Sequence, residues 1–146
     1  MKCLDKAAVL LGRRIYGAEE LKKKLKTYGY HDEEIGITMA LLLEKGYMDD
    51  LEFAKAYIRD QATFQRKGPE LITLELKRKE VESSLIQSAL ETEYTALMQE
   101  ENARYLLKKW KQSSRQYDME SLTRKLLRKG YSYQIVKTCL GNFYES

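Results

Sequence analysis

The sequence predicts an all-α protein built as three tandem three-helix repeats in an elongated, curved array. Three observations predict it. Apolar residues recur at helical spacing along nearly the whole chain, as in Leu21, Leu25 and Tyr28, in Ile35, Met39, Leu42 and Leu43, and in Ile86, Leu90, Tyr94 and Leu97, with no convincing period-two stretch. Only one proline and eight glycines occur in 146 residues, too few for a loop-rich or all-β chain. Finally, one set of marks occurs three times: Leu21, Leu25, Gly29-Tyr30 and Ile35; Ile72, Leu76, Glu80-Val81 and Ile86; Leu122, Leu126, Gly130-Tyr131 and Val136. The spacing is 51 residues from Tyr30 to Val81 and 50 from Val81 to Tyr131. Such a period belongs to an array of small supersecondary units, each burying its apolar face with help from its neighbours. Arrays of this kind serve as binding surfaces.

The elements follow in order. Repeat 1 (1–48) reads as helices over 5–14, 18–28 and 32–45; repeat 2 (49–99) as 50–65, 69–79 and 83–98; repeat 3 (100–146) as 100–111, 118–129 and 132–144. Gly29 and Gly130 stand where a left-handed residue ends the preceding helix. Asp32, Ser83 and Ser132 follow the Gly-Tyr-type marks, where a polar side chain caps free N–H groups. Pro69, after Gly68, fits the first turn of a helix. Asp49-Asp50 sets negative charge at a helix start. Read as paired catalytic carboxylates they fail, because adjacent helical residues do not face one another. Residues 113–117 form the loop of the third repeat, and 98–101 carry no Gly or Pro, so the third helix of repeat 2 is expected to run on into the first helix of repeat 3.

Composition narrows the function. Hydrophobic residues make up 43% and charged residues 33%, which suits amphipathic helices with wide solvent-facing sides. No apolar run approaches the roughly 20 residues that span a bilayer, and the start lacks a signal-peptide pattern, so a cytoplasmic protein without membrane contact is expected. Two cysteines at opposite ends and a single histidine, His31, offer no metal site. Cys139 reads as a buried reduced thiol, Cys3 as an incidental one and His31 as a solvent-facing loop residue. There is no phosphate-binding loop, no dinucleotide fingerprint and no credible nucleophile triad. No cofactor is expected, no catalytic residue is assigned, and the chain does not read as an enzyme.

Charge follows the repeats. The net charge of +4 divides into 0 for residues 1–50, −2 for 51–100 and +6 for 101–146. The middle helix of each repeat is basic around its shared leucine: Lys22, Lys23, Lys24 and Lys26; Lys77, Arg78 and Lys79; Arg124, Lys125, Arg128 and Lys129. If stacking sets these helices side by side, their cations form one positive stripe suited to phosphates or an acidic protein groove. Single clusters of this kind ordinarily solvate outer helix faces; recurrence in three repeats argues for a shared role. Most of the eleven tyrosines fall at packing positions, and Tyr131 and Tyr133 are the candidates for an exposed aromatic beside basic charge.

The run Leu42-Leu43-Glu44-Lys45-Gly46-Tyr47-Met48-Asp49-Asp50-Leu51-Glu52-Phe53-Ala54 resembles a stretch of the RecX regulatory proteins, which modulate the bacterial RecA recombinase. Arg66-Lys67-Gly68-Pro69, Ile72, Glu75-Leu76 and Lys79 are similar to that family's next series, and Leu126-Leu127-Arg128-Lys129-Gly130-Tyr131-Ser132 to its last-repeat signature. Glu20-Leu21, Leu25 and Gly29-Tyr30 match the first repeat. Two departures are local: Gly17-Ala18 where a Ser often stands, and Glu80 in place of a glycine.

A monomer is expected, and the resemblance implies a regulator that binds the RecA–DNA filament groove and mainly inhibits recombinase and coprotease activity. Its partners would be the filament and single- or double-stranded DNA. The expected contacts are Lys22, Lys23, Lys26, Lys77, Arg78, Lys79, Arg124, Lys125, Arg128 and Lys129. The alternatives are a direct DNA-binding protein with helix-turn-helix-like units and a helical scaffold for an unrelated acidic protein.

Overall fold

The structure, a computed structural model, describes residues 1–113 and 118–145. From Ser114 onward, the predicted loop at 113–117 lies outside the described residues. Among the described residues the regular structure is helical throughout. The helices are α1 Cys3–Leu11, α2 Ala18–Thr27, α3 Asp32–Glu44, α4 Asp50–Asp60, α5 Pro69–Arg78, α6 Ser83–Glu93, α7 Ala96–Lys111, α8 Met119–Lys129 and α9 Tyr133–Glu145, with a π-helical turn at Gln61–Gln65 after α4.

Most of these helices span about three turns, a length at which isolated helices are marginal in water, so burial must hold them. It does so in three separate apolar clusters. Leu10, Leu21, Leu25, Ile35 and Met39 form one; Phe53, Ile58, Ile72, Leu76 and Ile86 the second; Leu107, Leu122, Leu126, Tyr131 and Val136 the third. The leucine and isoleucine marks of the repeat are thus core positions, each contributing roughly 1.5–3 kcal/mol on burial. Every extensive helix–helix packing lies within a cluster, namely α1, α2 and α3 together, α4 to α6 together, and α7 to α9 together. The surface area of 9340 Å² is about a fifth above the roughly 7,800 Å² expected of a compact monomer of this mass. That excess is what separate cores in series would leave exposed.

Helix ends follow local chemistry, with corrections. Gly29 and Gly130 are left-handed, at φ +95° and +106°. Glu80 takes the corresponding position without being glycine, at φ +60°. Pro69 begins α5. The Ser132 hydroxyl accepts from Ile135 N–H at 3.3 Å, as expected. Asp32 and Ser83, expected as caps, are instead the first helical residues. Glu34 fills the role at α3 by accepting from His31 N–H at 3.2 Å. The predicted helix over 50–65 is helical throughout, its last turn at Gln61–Gln65 being π rather than α where Asn102 donates to the Ala62 carbonyl at 3.0 Å, and Arg66 ends it left-handed at φ +53°. The predicted helix over 83–98 breaks at Tyr94, whose backbone leaves the helical region at φ −140° and ψ 79°, and Thr95 caps α7 by accepting from Met98 N–H at 3.3 Å. Cys139 is buried as expected, and His31 is exposed. Cys3 is also core rather than incidental, at 5% exposure.

Candidate basic interaction surface

The middle helices α2, α5 and α8 carry the basic clusters, and how they meet decides what those clusters can do. They do not lie side by side. The N–H groups of Gly68 and Glu70, at the start of α5, donate to the carbonyls of Lys129 and Gly130, at the end of α8, both at 2.9 Å. Helix ends leave such donors and acceptors without intrahelical partners, and these two ends satisfy one another with their dipoles head to tail. Glycine makes the approach possible: a β-carbon on Gly68 would lie 2.2 Å from the Gly130 carbonyl carbon. At its other end α5 meets the start of α2. Lys79, which closes α5, pairs with Glu20 in the first turn of α2 at 3.0 Å. Side-by-side stacking would have left all these end groups to water.

The cations therefore gather toward the C-terminal end of each middle helix, in three groups joined in series, rather than in one lateral stripe. On α2, Lys22, Lys23 and Lys26 are exposed; Lys22 pairs with Glu19 at 3.6 Å and Lys26 with Asp32 at 3.4 Å. On α5, Lys77 and Arg78 are exposed, whereas Lys79 is half-buried, bound to Glu20 and 5.6 Å from the Tyr57 ring. Lys23, Arg78 and Lys79 share a cavity of about 390 Å³ with Glu19, Glu20, Tyr57 and Glu75, so this joint is of mixed charge. On α8, Arg124 pairs with Glu120 at 2.9 Å, Lys125 lies 4.8 Å from the Trp110 ring, and Arg128 is exposed. Lys129 is half-buried, and its ammonium is held below the usual lysine range by burial and then by Lys67 and Lys109.

The two joints differ in chemistry. Between the first and second clusters, the Glu20 carboxylate accepts from Lys79, Gly17 N–H and Arg14, while Asp50 accepts from Ala18 N–H at 2.9 Å. Burial works against the Glu20 charge, but those hydrogen bonds outweigh it and hold the carboxyl below its ordinary range. Asp49 caps its own helix by accepting from Leu51 and Glu52 N–H. The Asp49-Asp50 pair is therefore structural, with one carboxylate serving each of two helices. Between the second and third clusters, buried hydroxyls join the backbone contacts. Tyr94 donates to the Lys67 carbonyl at 2.8 Å and accepts from Asn102 at 3.0 Å, and Tyr131 donates to the Arg66 carbonyl. Arg66 itself donates to Asn102 at 2.9 Å and stacks 3.6 Å from the Tyr105 ring. Tyr131, a candidate for an exposed aromatic, is thus fully buried; Tyr133 is 65% exposed.

Sequence reading missed Lys67 and Lys109 as neighbours of Lys129. The run Lys108-Lys109-Trp110-Lys111 was a usable signal, although nothing local showed that it faces α8. Among the described residues no group of His, Cys, Asp or Glu could hold a metal ion, and no helix is long and apolar enough to cross a membrane.

Three three-helix domains joined in series, with cations collected at their middle helices, define a helical repeat protein with basic patches on its surface. The model for the second three-helix domain of RecX matches residues 49–90. The regulatory protein RecX of Geobacillus thermodenitrificans (strain NG80-2) is 32% identical over 145 residues, covering 97% of this chain and 54% of that protein. That of Vibrio vulnificus (strain CMCP6) is 41% identical over 93 residues, covering 64% and 60%. The crystal structure of RecX from Lactobacillus salivarius superposes with a TM-score of 0.85 at 25% identity, covering 99% of this chain and 96% of that one. The chain belongs to the RecX family. It spans a little over half the length of the curated relatives it matches.

Proposed function

We propose that this chain acts in the cytoplasm as a monomeric, non-enzymatic regulator of the RecA recombinase. It lodges its basic surface in the groove of the RecA–DNA filament and mainly inhibits recombinase and coprotease activity. The observation that carries this reading is the recurrence of cations on three middle helices joined end to end, in a chain of the RecX family. Charge presented at successive joints suits a partner that itself repeats, as a filament does. A positive field of this kind raises the rate of encounter with an anionic groove and makes binding sensitive to salt. The +6 of residues 101–146 directs the strongest field to α8. Reversing Arg124, Lys125, Arg128 and Lys129 to glutamate should abolish inhibition of RecA ATPase on single-stranded DNA. Unchanged inhibition would remove these four residues from the mechanism.

Direct DNA binding is the second reading, favoured by the net charge of +6 on residues 101–146. A salt titration without recombinase separates the two. Neutralising about four phosphates of a single strand gives a log–log slope near −3. Tight binding with that slope and no effect on RecA would favour DNA itself as the target.

A further inference from the structure

The surface of the first domain differs from that of the other two. Residues 1–50 carry no net charge, yet among the described residues they hold eight of the sixteen large hydrophobic side chains that are exposed. Helix α3 is apolar on more than its core side: Ile35, Met39 and Leu42 are buried, whereas Ile37 and Leu43 are 62% and 53% exposed. A helix apolar all round is ordinarily covered all round. Beside α3 lies a groove of about 600 Å³. Leu4, Ala8 and Leu11, spaced four and three residues along α1, line one wall, and Leu41 and Tyr47 line the other. The core takes a different row of α1, namely Cys3, Ala7 and Leu10. Two charged side chains also line the groove, Asp5 from α1 and Lys45, the residue that closes α3. Among the described residues neither has an ion-pair partner.

We propose that this groove receives an amphipathic helix of a partner protein, one with an apolar stripe and flanks of opposite charge, cationic toward Asp5 and anionic toward Lys45. An apolar trough between two helices, with residues at helical spacing along its wall, is the shape into which a third helix lays its own apolar face. The unpaired charges state what borders that face. A helix with flanks of one sign would pair with one wall and repel the other. A small molecule would need polar groups converging on it to fix its orientation, and here the two charged groups stand on opposite walls. An anionic lipid surface favours a rim of lysine and arginine, which the Asp5 carboxylate opposes. The groove is separate from the basic clusters of the middle helices, and this inference does not rest on the filament reading.

The test titrates the full chain into fluorescently labelled helical peptides of about 18 residues, or five turns, with leucines spaced three and four apart. One peptide carries lysine on one flank of the stripe and glutamate on the other. Its companions carry lysine on both flanks or glutamate on both. By anisotropy the mixed peptide should bind wild type tighter than either companion by about two- to fivefold, the worth of an exposed ion pair. The direction of entry does not confuse this ranking, because reversing the peptide exchanges its flanks. The general field of a chain of net charge +4 favours the all-glutamate peptide, so preference for the mixed one reports the groove. Lys45→Glu should transfer the preference to the all-lysine peptide, and Lys45→Gln should abolish the advantage of mixed over all-lysine. Ala8 is exposed on the α1 wall, so Ala8→Glu should keep the thermal unfolding midpoint and weaken the mixed peptide about tenfold or more, by burying a charge beneath it. The Lys45 variants carry the test if Ala8→Glu lowers that midpoint. Equal affinity for the three peptides, preference for all-glutamate, no binding, a ranking unchanged in Lys45→Glu, or indifference to a folded Ala8→Glu would each overturn the proposal. So would sedimentation with phosphatidylglycerol vesicles that Ala8→Glu abolishes, in place of peptide binding, since the groove would then face lipid.

Discussion

Gly68 and Gly130 meet backbone to backbone, so close that a β-carbon on Gly68 would sit 2.2 Å from the Gly130 carbonyl carbon and 2.4 Å from the Tyr131 nitrogen. Gly68 is not there for a left-handed backbone, since its φ is −79°. It is there for space. This contact lets the start of α5 and the end of α8 exchange hydrogen bonds, and so couples the second domain to the third.

Gly68→Ala should therefore destabilise the protein by about 2–3 kcal/mol through backbone displacement at the joint. Gly29→Ala is the informative comparison. Gly29 has φ +95° but nothing within 4 Å of an added β-carbon, so only conformational strain remains, about 1 kcal/mol. Urea unfolding of the two variants should rank them in that order.

Removing the Tyr131 hydroxyl tests the polar side of the same joint. Tyr131 is fully buried and donates to the Arg66 carbonyl. Its phenol is held protonated above the usual tyrosine range by burial and then by the Tyr94 hydroxyl. Tyr131→Phe leaves a buried carbonyl short of a donor and should cost about 1–3 kcal/mol. Tyr133→Phe, at an exposed position, should stay within about 0.5 kcal/mol of wild type. Thermal unfolding checks both. A cycle with Tyr94→Phe should show non-additivity, because the two hydroxyls lie 3.4 Å apart.

The Glu20 clamp predicts pH dependence at the other joint. The folded-state carboxyl is held below the ordinary glutamate range by its hydrogen bonds to Lys79, Gly17 N–H and Arg14. A depressed carboxyl contributes stability that is present above the unfolded value and is lost as pH falls through the folded one. Glu20→Gln should therefore be less stable than wild type at neutral pH, by about 1 kcal/mol given the partial exposure of the pair. The difference should shrink as pH falls below about 4.5. Raised salt should also reduce it. Denaturant midpoints compared across pH provide the check.

Glu80 is a case where the chain carries strain that its other repeats avoid. It stands at φ +60°, where Gly29 and Gly130 stand in their repeats. A left-handed non-glycine residue costs about 1–2 kcal/mol, against about 0.5–1 kcal/mol for the added freedom of glycine in the unfolded chain. Glu80→Gly should stabilise the second domain by up to about 1 kcal/mol, read as a higher denaturant midpoint at unchanged slope.

Much of the fold was legible because its causes are local. Period 3.6 in leucine and isoleucine marks core faces, glycine after a basic turn marks a helix end, and proline after glycine marks a helix start. Those signals placed Leu25, Leu76 and Leu126 in three cores and Gly29 and Gly130 in left-handed turns. They failed where a distant group overrode them. Tyr94 leaves the helix expected over 83–98 and reaches the Lys67 carbonyl, and Asn102 takes the Ala62 carbonyl where the last turn of the 50–65 helix is π rather than α. Of the candidate surface, the basic runs on α2, α5 and α8 were visible. Their arrangement was not, nor was the company that Lys67 and Lys109 keep with Lys129.

By itself, then, the sequence determined short amphipathic helices, their grouping in threes and the basic character of each middle helix, because hydrophobic periodicity and end-capping act within a few residues. Only the tertiary structure decided that the middle helices meet end to end. That outcome rests on two glycines approaching without side chains, on helix-end donors meeting helix-end acceptors, and on hydroxyl and carboxylate groups whose partners stand tens of residues away. None of these leaves a periodic trace along the chain.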